Sequence, residues 1–355
     1  MALCHPCKAL ILAHCHPGET IGLSLMYLIL YCLVGLIATP RYFSRQKRLI
    51  MPTVCVFGAT GSQGGSLAKQ LRDLDWNVRA LVRNDNTLKA QSLRASGVDI
   101  IQGDWDDIPA LTDVLTGCDK LFLCLLPNFN DQGSELRQAT NIVNIAKVAG
   151  VKQVVASTSL AVFQLEDGYL EPGSIMHKHA TNKKGIEQAV ATAGFRYRTF
   201  LRPSFLMANF LEPKVERYPE PRDKGTWTTS MTAESKLALL DHADIAKIAI
   251  AAFQQPQKFY DMAIGLASQI LTVQDTLDHL GHAVGRPFKA IYMTDEEIAE
   301  EQKRSNVFVN SQSSMRYMAR YIDILALRAI TPLTTFKEFL DREQELVKET
   351  YKLES

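Results

Sequence analysis

The sequence predicts an α/β protein whose main domain is a doubly wound parallel sheet, followed by a smaller C-terminal lobe. Two observations support this prediction. From residue 51 onward, short apolar segments of strand character alternate with segments of helical periodicity. Between the first such strand and the first helix, Gly58, Gly61 and Gly64 stand three residues apart. Strands joined by helices at this pitch make right-handed crossovers and lie parallel in one sheet.

The glycines follow the segment Thr53–Phe57, T-V-C-V-F, which has the composition of a strand buried on both faces. Helical spacing resumes at Ser66–Leu74. A strand, a glycine turn and a helix in this order form the Rossmann device that binds a dinucleotide pyrophosphate, and G-x-x-G-x-x-G is a variant of its usual spacing. We therefore expect the cofactor to contact a run of turn residues, namely Gly58, Thr60, Gly61, Ser62, Gln63 and Gly64.

The second predicted strand, Asn77–Val82, ends at Arg83 and not at an acidic residue. An NAD-preferring site carries Asp or Glu near this position, where the carboxylate accepts from the ribose 2′-hydroxyl. A guanidinium group instead suits the 2′-phosphate of NADP(H), which it binds through two hydrogen bonds. The sequence therefore favours NADP(H) over NAD(H). The alternative is that Arg83 is an ordinary surface arginine.

A third strand, Val98–Gln102, precedes a turn of acidic residues and a helix at Ile108–Leu115. Asp104 in this turn is a candidate to border the adenine of the cofactor. Asp106 or Asp107 is expected to cap the helix, because an aspartate before the first helical turn accepts from its free N–H groups.

A fourth strand, Lys120–Leu126, and a fifth strand, Gln153–Ala156, are separated by a helix at Ser134–Ala149. Ligands of such sheets bind beyond the carboxyl ends of the strands. The residues expected around one crevice are therefore Gly58, Arg83, Leu125, Ser157 and Thr158.

Four stretches of this sequence resemble the NmrA-like family: T-V-C-V-F-G-A-T-G-S-Q-G-G, L-V-R, Q-G-D-W-D-D and L-R-P-S-F-L-M-A-N-F. This family belongs to the atypical short-chain dehydrogenases/reductases, near the isoflavone-reductase-like enzymes. The resemblance covers roughly Met51 to the end of the chain and is strongest up to Phe210. It implies a Rossmann fold, a preference for NADP(H), and either reductase activity or a redox-sensing regulatory role.

The wider superfamily uses a Tyr-x-x-x-Lys pair on a helix, in which the phenol acts as acid/base and the lysine holds the nicotinamide ribose. The matching segment here reads H-K-H-A-T-N-K-K, residues 177–184, and lacks the tyrosine. His179 and Lys183 keep the four-residue spacing and share a helix face. The resemblance implies that Lys183 contacts the ribose. His179 is a candidate proton donor or an ordinary polar residue, and Tyr169 in the preceding loop is an alternative donor.

A strand at Tyr197–Leu201 leads into R-P-S-F-L-M-A-N-F, which in the family borders the nicotinamide and opens the substrate region. The resemblance therefore suggests Phe205 as a cofactor contact and Asn209 as a substrate contact, although this apolar stripe is equally consistent with core. Further elements are predicted at 241–253, 258–264, 271–284 and 295–301, with a final surface helix from Thr335. The predicted domains are residues 51–204, completed by the strand at 258–264, and residues 205–355.

The first fifty residues contain the apolar run Ile21–Ala38, followed by Arg41 and three further basic residues within ten positions. This run suits a marginal transmembrane helix whose C-terminal side faces the cytoplasm. Alternatively, residues 1–50 are an extension and the working protein begins at Met51. The early cysteines and histidines match no recognisable metal spacing, and we predict no metal site.

The composition argues against some classes of function. The net charge of +1 and the charged fraction of 22% show no basic excess, which argues against direct nucleic-acid binding. The cysteines after residue 50 suit a reduced, cytoplasmic protein. We predict an NADP(H)-dependent oxidoreductase that reduces a small carbonyl or conjugated substrate, as in secondary metabolism. The alternative is a non-catalytic NADP(H) sensor that acts through a regulatory protein partner, in part in the nucleus.

Overall fold

A computed structural model describes residues 51–128, 131, 133–304 and 307–352, except for the side chains of residues 307, 308 and 310. The predicted transmembrane segment at 21–38 and the early cysteine and histidine cluster lie outside these residues. Among the helices that are described, none combines the length and apolar character needed to span a membrane.

The strands of the described residues are β1 (Thr53–Val56), β2 (Asn77–Val82), β3 (Asp99–Gln102), β4 (Lys120–Leu123), β5 (Gln153–Ser157), β6 (Tyr197–Pro203), β7 (Phe205–Leu206), β8 (Thr226–Thr229), β9 (Lys236–Leu240), β10 (Met262–Leu266), β11 (Gln269–Thr272) and β12 (Lys289–Tyr292). Seven of them form one sheet in the order β10-β6-β5-β4-β1-β2-β3. Every neighbouring pair in this sheet is parallel. The predicted Rossmann fold is therefore confirmed.

The helices in the first half of the chain are α1 (Ser62–Asp73), α2 (Leu88–Ala95), α3 (Ile108–Leu115), α4 (Ser134–Val148), α5 (Ala161–Glu166) and α6 (Ile175–Thr192). Those in the second half are α7 (Glu220–Lys224), α8 (His242–Gln254), α9 (Val273–Val284), α10 (Asp295–Lys303), α11 (Val307–Met315), α12 (Ile324–Ile330), α13 (Phe336–Arg342) and α14 (Gln344–Tyr351). Short 3-10 turns lie at Met207–Phe210, Lys214–Arg217 and Met318–Tyr321.

The central strand β1 shows why the sheet needs helices on both of its faces. Val54 and Val56 belong to a core cluster that includes apolar residues of α1 and α8, whereas Cys55 and Phe57 belong to one that includes α3 and α4. Successive side chains of a strand point to opposite faces, so a strand that is apolar throughout must be covered twice. The order of the strands reverses between β1 and β4, and this reversal opens the crevice in which ligands of such sheets bind.

Within the compact unit of residues 51–355, residues mostly after 204 form a second hydrophobic core, and the elements around it are here called the second lobe. It holds a three-stranded sheet, β11-β9-β7, and a two-stranded sheet, β12-β8. Its core is aromatic, because the rings of Phe205, Phe210 and Trp227 pack within 6.0 Å of one another, measured between centroids. The final helical segment also joins this core, since Phe336 and Phe339 of α13 are fully buried. The predicted final surface helix is thus two consecutive helices, α13 and α14, each of which buries apolar residues.

Several element boundaries differ from the prediction. Helix α1 begins at Ser62, four residues earlier than predicted. Strand β4 ends at Leu123, although the apolar run continues to Leu126. The last strand of the main sheet is Met262–Leu266 and not 258–264, because Phe259 lies in the preceding turn, where its carbonyl accepts from Thr199 Oγ1.

Candidate cofactor and catalytic site

The glycine turn places the start of α1 against the end of β1. Gly58 has φ of +73°, a conformation that other residues rarely adopt. A Cβ on Gly64 would lie 2.4 Å from the carbonyl oxygen of Gly58, so only glycine allows the helix to approach this closely. Gly61 caps α1 without a side chain, which leaves the first N–H groups of the helix free of a side-chain partner. These N–H groups and the helix dipole suit a phosphate.

Two polar residues at the start of α1 connect the turn to the neighbouring strands and to the second lobe. The side-chain oxygen of Gln63 accepts from the hydroxyl of Ser157, at 2.7 Å, and from the thiol of Cys124, at 3.6 Å. Ser62 accepts from the ammonium group of Lys214, at 2.6 Å. The predicted contacts Ser62, Gln63 and Ser157 therefore do lie together at the carboxyl ends of β1, β4 and β5. Thr60, at the tip of the turn, is exposed.

Arg83 lines a cavity of about 610 Å³ beside the ends of β2 and β3. The lining also includes Asp104, Trp105, Asp106, Leu126, Pro127, Asn128, Ser134 and Gln138. Asp104 accepts from the backbone N–H of Asp106, and Asp107 caps α3, as predicted. Among the residues that the structure describes, no carboxylate forms an ion pair with Arg83. Its guanidinium group is exposed and available to an anion.

Lys183 lies on α6 and is 4% exposed. Its ammonium group donates to Glu135 Oε1 and, at 3.1 Å, to the carbonyl oxygen of Leu125, which follows β4. Glu135 lies in the first turn of α4 and is 1% exposed. Its second carboxylate oxygen, Oε2, is buried and has no hydrogen-bond partner. A buried ion pair with one unsatisfied acceptor therefore stands at the carboxyl edge of the sheet.

His179 lies one helical turn before Lys183, as the spacing predicts. Burial, and secondarily the positive charge of Lys183, lower the pKa of His179 to about 3. The imidazole is therefore neutral over the whole physiological range. A histidine that titrates near neutral pH suits proton donation, and this environment removes that property from His179.

Three other predicted residues make no hydrogen bond to Lys183 in the part of the chain that the structure describes. The hydroxyl of Tyr169 accepts from Arg320, and its ring stacks on Tyr317 with centroids 5.1 Å apart. Phe205 is 4% exposed and contributes to the aromatic core of the second lobe. Asn209 lies half-buried in the short turn Met207–Phe210.

Thr158 was expected in the crevice, but its hydroxyl donates to Glu187, at 2.6 Å, inside the protein. Glu187 also pairs with Arg202, which is 4% exposed. Thr158 therefore belongs to a buried polar network and not to the crevice.

Two residues with a clear place in the site were not predicted. Glu135 comes within reach of Lys183 across 48 positions of sequence, and Lys214 comes within reach of Ser62 across 152. The only sequence signal for Glu135 is an acidic residue in the first turn of a helix that follows a strand end. Lys214 has no local signal at all, because the short 3-10 turn Lys214–Arg217 has too few residues for a periodic pattern.

The residues present fit a dinucleotide. The uncapped start of α1 suits the pyrophosphate, Arg83 suits a 2′-phosphate, and Lys183 lies at the edge where the nicotinamide half would follow. The unsatisfied Oε2 of Glu135 is an acceptor for a sugar hydroxyl or a carboxamide.

Residues 51–340 match the sequence profile of the NmrA-like family. The NAD(P)H azoreductase of Xenophilus azovorans is 27% identical over 296 residues, which cover 81% of this chain and 96% of the relative. Quinone oxidoreductase 2 of Escherichia coli is 30% identical over 215 residues, which cover 59% of this chain and 68% of the relative. The crystal structure of NmrA, a negative transcriptional regulator, in complex with NADP superimposes on this chain with a TM-score of 0.68 at 18% identity. The superposition covers 86% of this chain and 99% of NmrA. At that identity the last likeness shows the fold alone.

Proposed function

The chain belongs to the NmrA-like family, and we propose that it is an NADP(H)-dependent oxidoreductase of this family that reduces a small conjugated substrate. The observation that carries the proposal is the meeting of four features at one edge of the sheet: the glycine turn, the uncapped start of α1, Arg83 and Lys183. Relatives named as an azoreductase and a quinone oxidoreductase support a reductase.

In this proposal the chain's residues bind and orient the cofactor. The N–H groups at the start of α1 hold the pyrophosphate, and Arg83 holds the 2′-phosphate. Lys183 donates to the nicotinamide ribose, while its hydrogen bond to Glu135 holds the ammonium group in place. When bound, the nicotinamide ring supplies the hydride.

The substrate class follows from what the site lacks. In the described residues no tyrosine hydroxyl lies within hydrogen-bond distance of Lys183, and His179 is neutral, so the position of the superfamily's tyrosine supplies no general acid to protonate a product. Reduction of an isolated ketone generates an alkoxide, a very strong base that needs such an acid. Reduction of a quinone generates a phenolate, whose conjugate acid has a pKa of about 10, and water protonates it. We therefore favour quinones and similar conjugated acceptors over simple carbonyl compounds.

The test measures NADPH consumption by the full-length protein with a small quinone, an enone and an isolated ketone. We expect turnover of the quinone, little or none of the ketone, and a loss of about tenfold or more in kcat for Lys183→Met. Lys178→Met is the matched control, since Lys178 is exposed on the same helix. Turnover of the ketone at the rate of the quinone would contradict the assignment of substrate class.

Two observations favour a second candidate, a redox sensor that binds NADP(H) without turning it over. The ion pair of Lys183 with Glu135 is buried, and the position of the superfamily's tyrosine is held by a neutral histidine. Tight binding of one redox form, with no consumption of NADPH by any acceptor tested, would favour the sensor, whose partner would then be a protein.

A further inference from the structure

Lys214 belongs to the second lobe, and its ammonium group lies beside the glycine turn. It begins the short 3-10 turn Lys214–Arg217, and its Nζ lies 2.6 Å from the hydroxyl of Ser62, the first residue of α1. The side chain is half-buried. Its ammonium group is thus held at the end of the helix where the backbone N–H groups are free.

The surroundings of this ammonium group do not balance its charge. The charged or titratable groups that act on it are Arg217 on its own turn, Lys89 on α2, the thiol of Cys124 after β4, and His242 at the start of α8. Two of these are cations, and none is a carboxylate. Among the described residues, Lys214 forms no ion pair within 4.0 Å.

The positive end of the α1 dipole adds to this imbalance, because cations are disfavoured at a helix N-terminus. Burial, and next the charge of Arg217, lower the pKa of Lys214 to about 8. An anion at the start of α1 would offset the repulsion and compensate the ammonium group for the hydration that it loses on burial. The hydroxyl of Ser62, a neutral acceptor, offsets none of the charge.

We propose that Lys214 binds the cofactor pyrophosphate, so that a residue of the second lobe completes the phosphate site of the main sheet. This inference rests on the proposed function, since it assigns a residue to the same cofactor. A compact, hydrated ammonium group suits a phosphate oxygen as a point-charge contact, next to the N–H groups that the helix supplies.

The position of Lys214 distinguishes the pyrophosphate from the 2′-phosphate. Arg83 lies beyond β2, in the cavity that also contains Asp104, whereas Lys214 lies at the turn after β1. Loss of Lys214 should therefore weaken NADPH and NADH by the same factor. Loss of Arg83 should weaken NADPH alone.

The test is a fluorescence titration of the full-length protein with NADPH and with NADH. For Lys214→Met we expect about 10- to 100-fold weaker binding of both, the range for loss of a charge-assisted hydrogen bond. Lys214→Arg keeps the charge and should stay within about threefold of the wild type. Lys69→Met, at an exposed position of α1, is the control for a general loss of charge.

The dependence on pH tests the same contact without any substitution. The charged form of Lys214 binds the anion, so affinity for NADH should be constant below about pH 8 and weaken as the pH rises above it. In Lys214→Met the affinity should be flat from pH 7 to 9.5.

The failure of this inference is distinguishable from the failure of the proposed function. Wild-type affinity of Lys214→Met for both nucleotides, or a loss confined to NADPH, would overturn the role of Lys214 while leaving the cofactor assignment intact. Absence of binding by the wild-type protein would overturn the proposed function itself, and this inference with it.

Discussion

The buried pair of Lys183 and Glu135 leads to a prediction about how the stability of two variants depends on pH. Their side chains are 5% and 1% exposed, so removing either partner leaves a lone charge in the interior. Breaking a buried ion pair in this way costs about 3–5 kcal/mol. The lone group can avoid that penalty only by changing its protonation state. The free-energy cost of that change is therefore an upper limit on the loss of stability in each variant.

For Glu135→Gln, the remaining lysine escapes by losing its proton. At pH 7 this costs about 4.6 kcal/mol, the separation from the ordinary lysine pKa of about 10.4, and at pH 9 it costs about 1.9 kcal/mol. For Lys183→Met, the remaining carboxylate escapes by taking up a proton. This costs about 3.7 kcal/mol at pH 7 and about 1.6 kcal/mol at pH 5.5.

The two variants should therefore recover stability in opposite directions. The deficit of Glu135→Gln shrinks as pH rises, because the unfolded lysine holds its proton up to about pH 10 while the folded one has lost it. The deficit of Lys183→Met shrinks as pH falls towards about 4, where the unfolded carboxylate also becomes protonated. The double variant buries no charge, and its deficit should not depend on pH.

The assay is urea unfolding of the wild type, both single variants and the double variant between pH 5.5 and 9. Asp341→Asn is the control, because Asp341 pairs with Lys337 in an exposed pair, and such pairs contribute little to stability. Deficits below about 1 kcal/mol, or deficits that do not depend on pH, would refute the claim that this pair is desolvated and held rigidly.

Two further predictions concern the turn and the histidine. Gly64→Ala should abolish cofactor binding and destabilise the fold by about 1–3 kcal/mol, because its Cβ would overlap the backbone of Gly58. Gly133→Ala, whose Cβ has no neighbour closer than 3.7 Å, should leave binding unchanged in the same titration, and comparable losses in both would contradict the steric argument. Since the pKa of His179 is about 3, the pH profile of kcat should show no step near pH 6.5, and a step that disappears in His179→Gln would contradict a neutral imidazole.

The main sheet was predictable because its strands are short, apolar and punctuated by glycine. Strand β2 and helix α3 have the predicted bounds. The predicted start of α1 is too late because Gly64 and Gly65 interrupt its helical pattern, yet packing against the turn after β1 requires glycine there. The apolar run after β4 continues past the sheet and serves the site with the carbonyl of Leu125.

The second lobe and the polar contacts of the site were less accessible from sequence. Strand β7 has two residues, too few for a periodic pattern. The predicted nicotinamide contact Phe205 has the composition of a pocket residue and of a core residue alike, and packing assigns it to the core. Glu135 and Lys214 acquire their roles only when distant segments meet, so no local pattern marks them.

The most direct test of the proposed function is calorimetric titration of the full-length protein with NADPH and, separately, with NADH. The arrangement of the glycine turn, Arg83 and Lys183 predicts that NADPH binds with a Kd in the micromolar range or below, and NADH at least about tenfold more weakly. Arg83→Ala should remove most of this difference. No binding of either nucleotide, or tighter binding of NADH, would contradict the assignment of this edge of the sheet as an NADP(H) site.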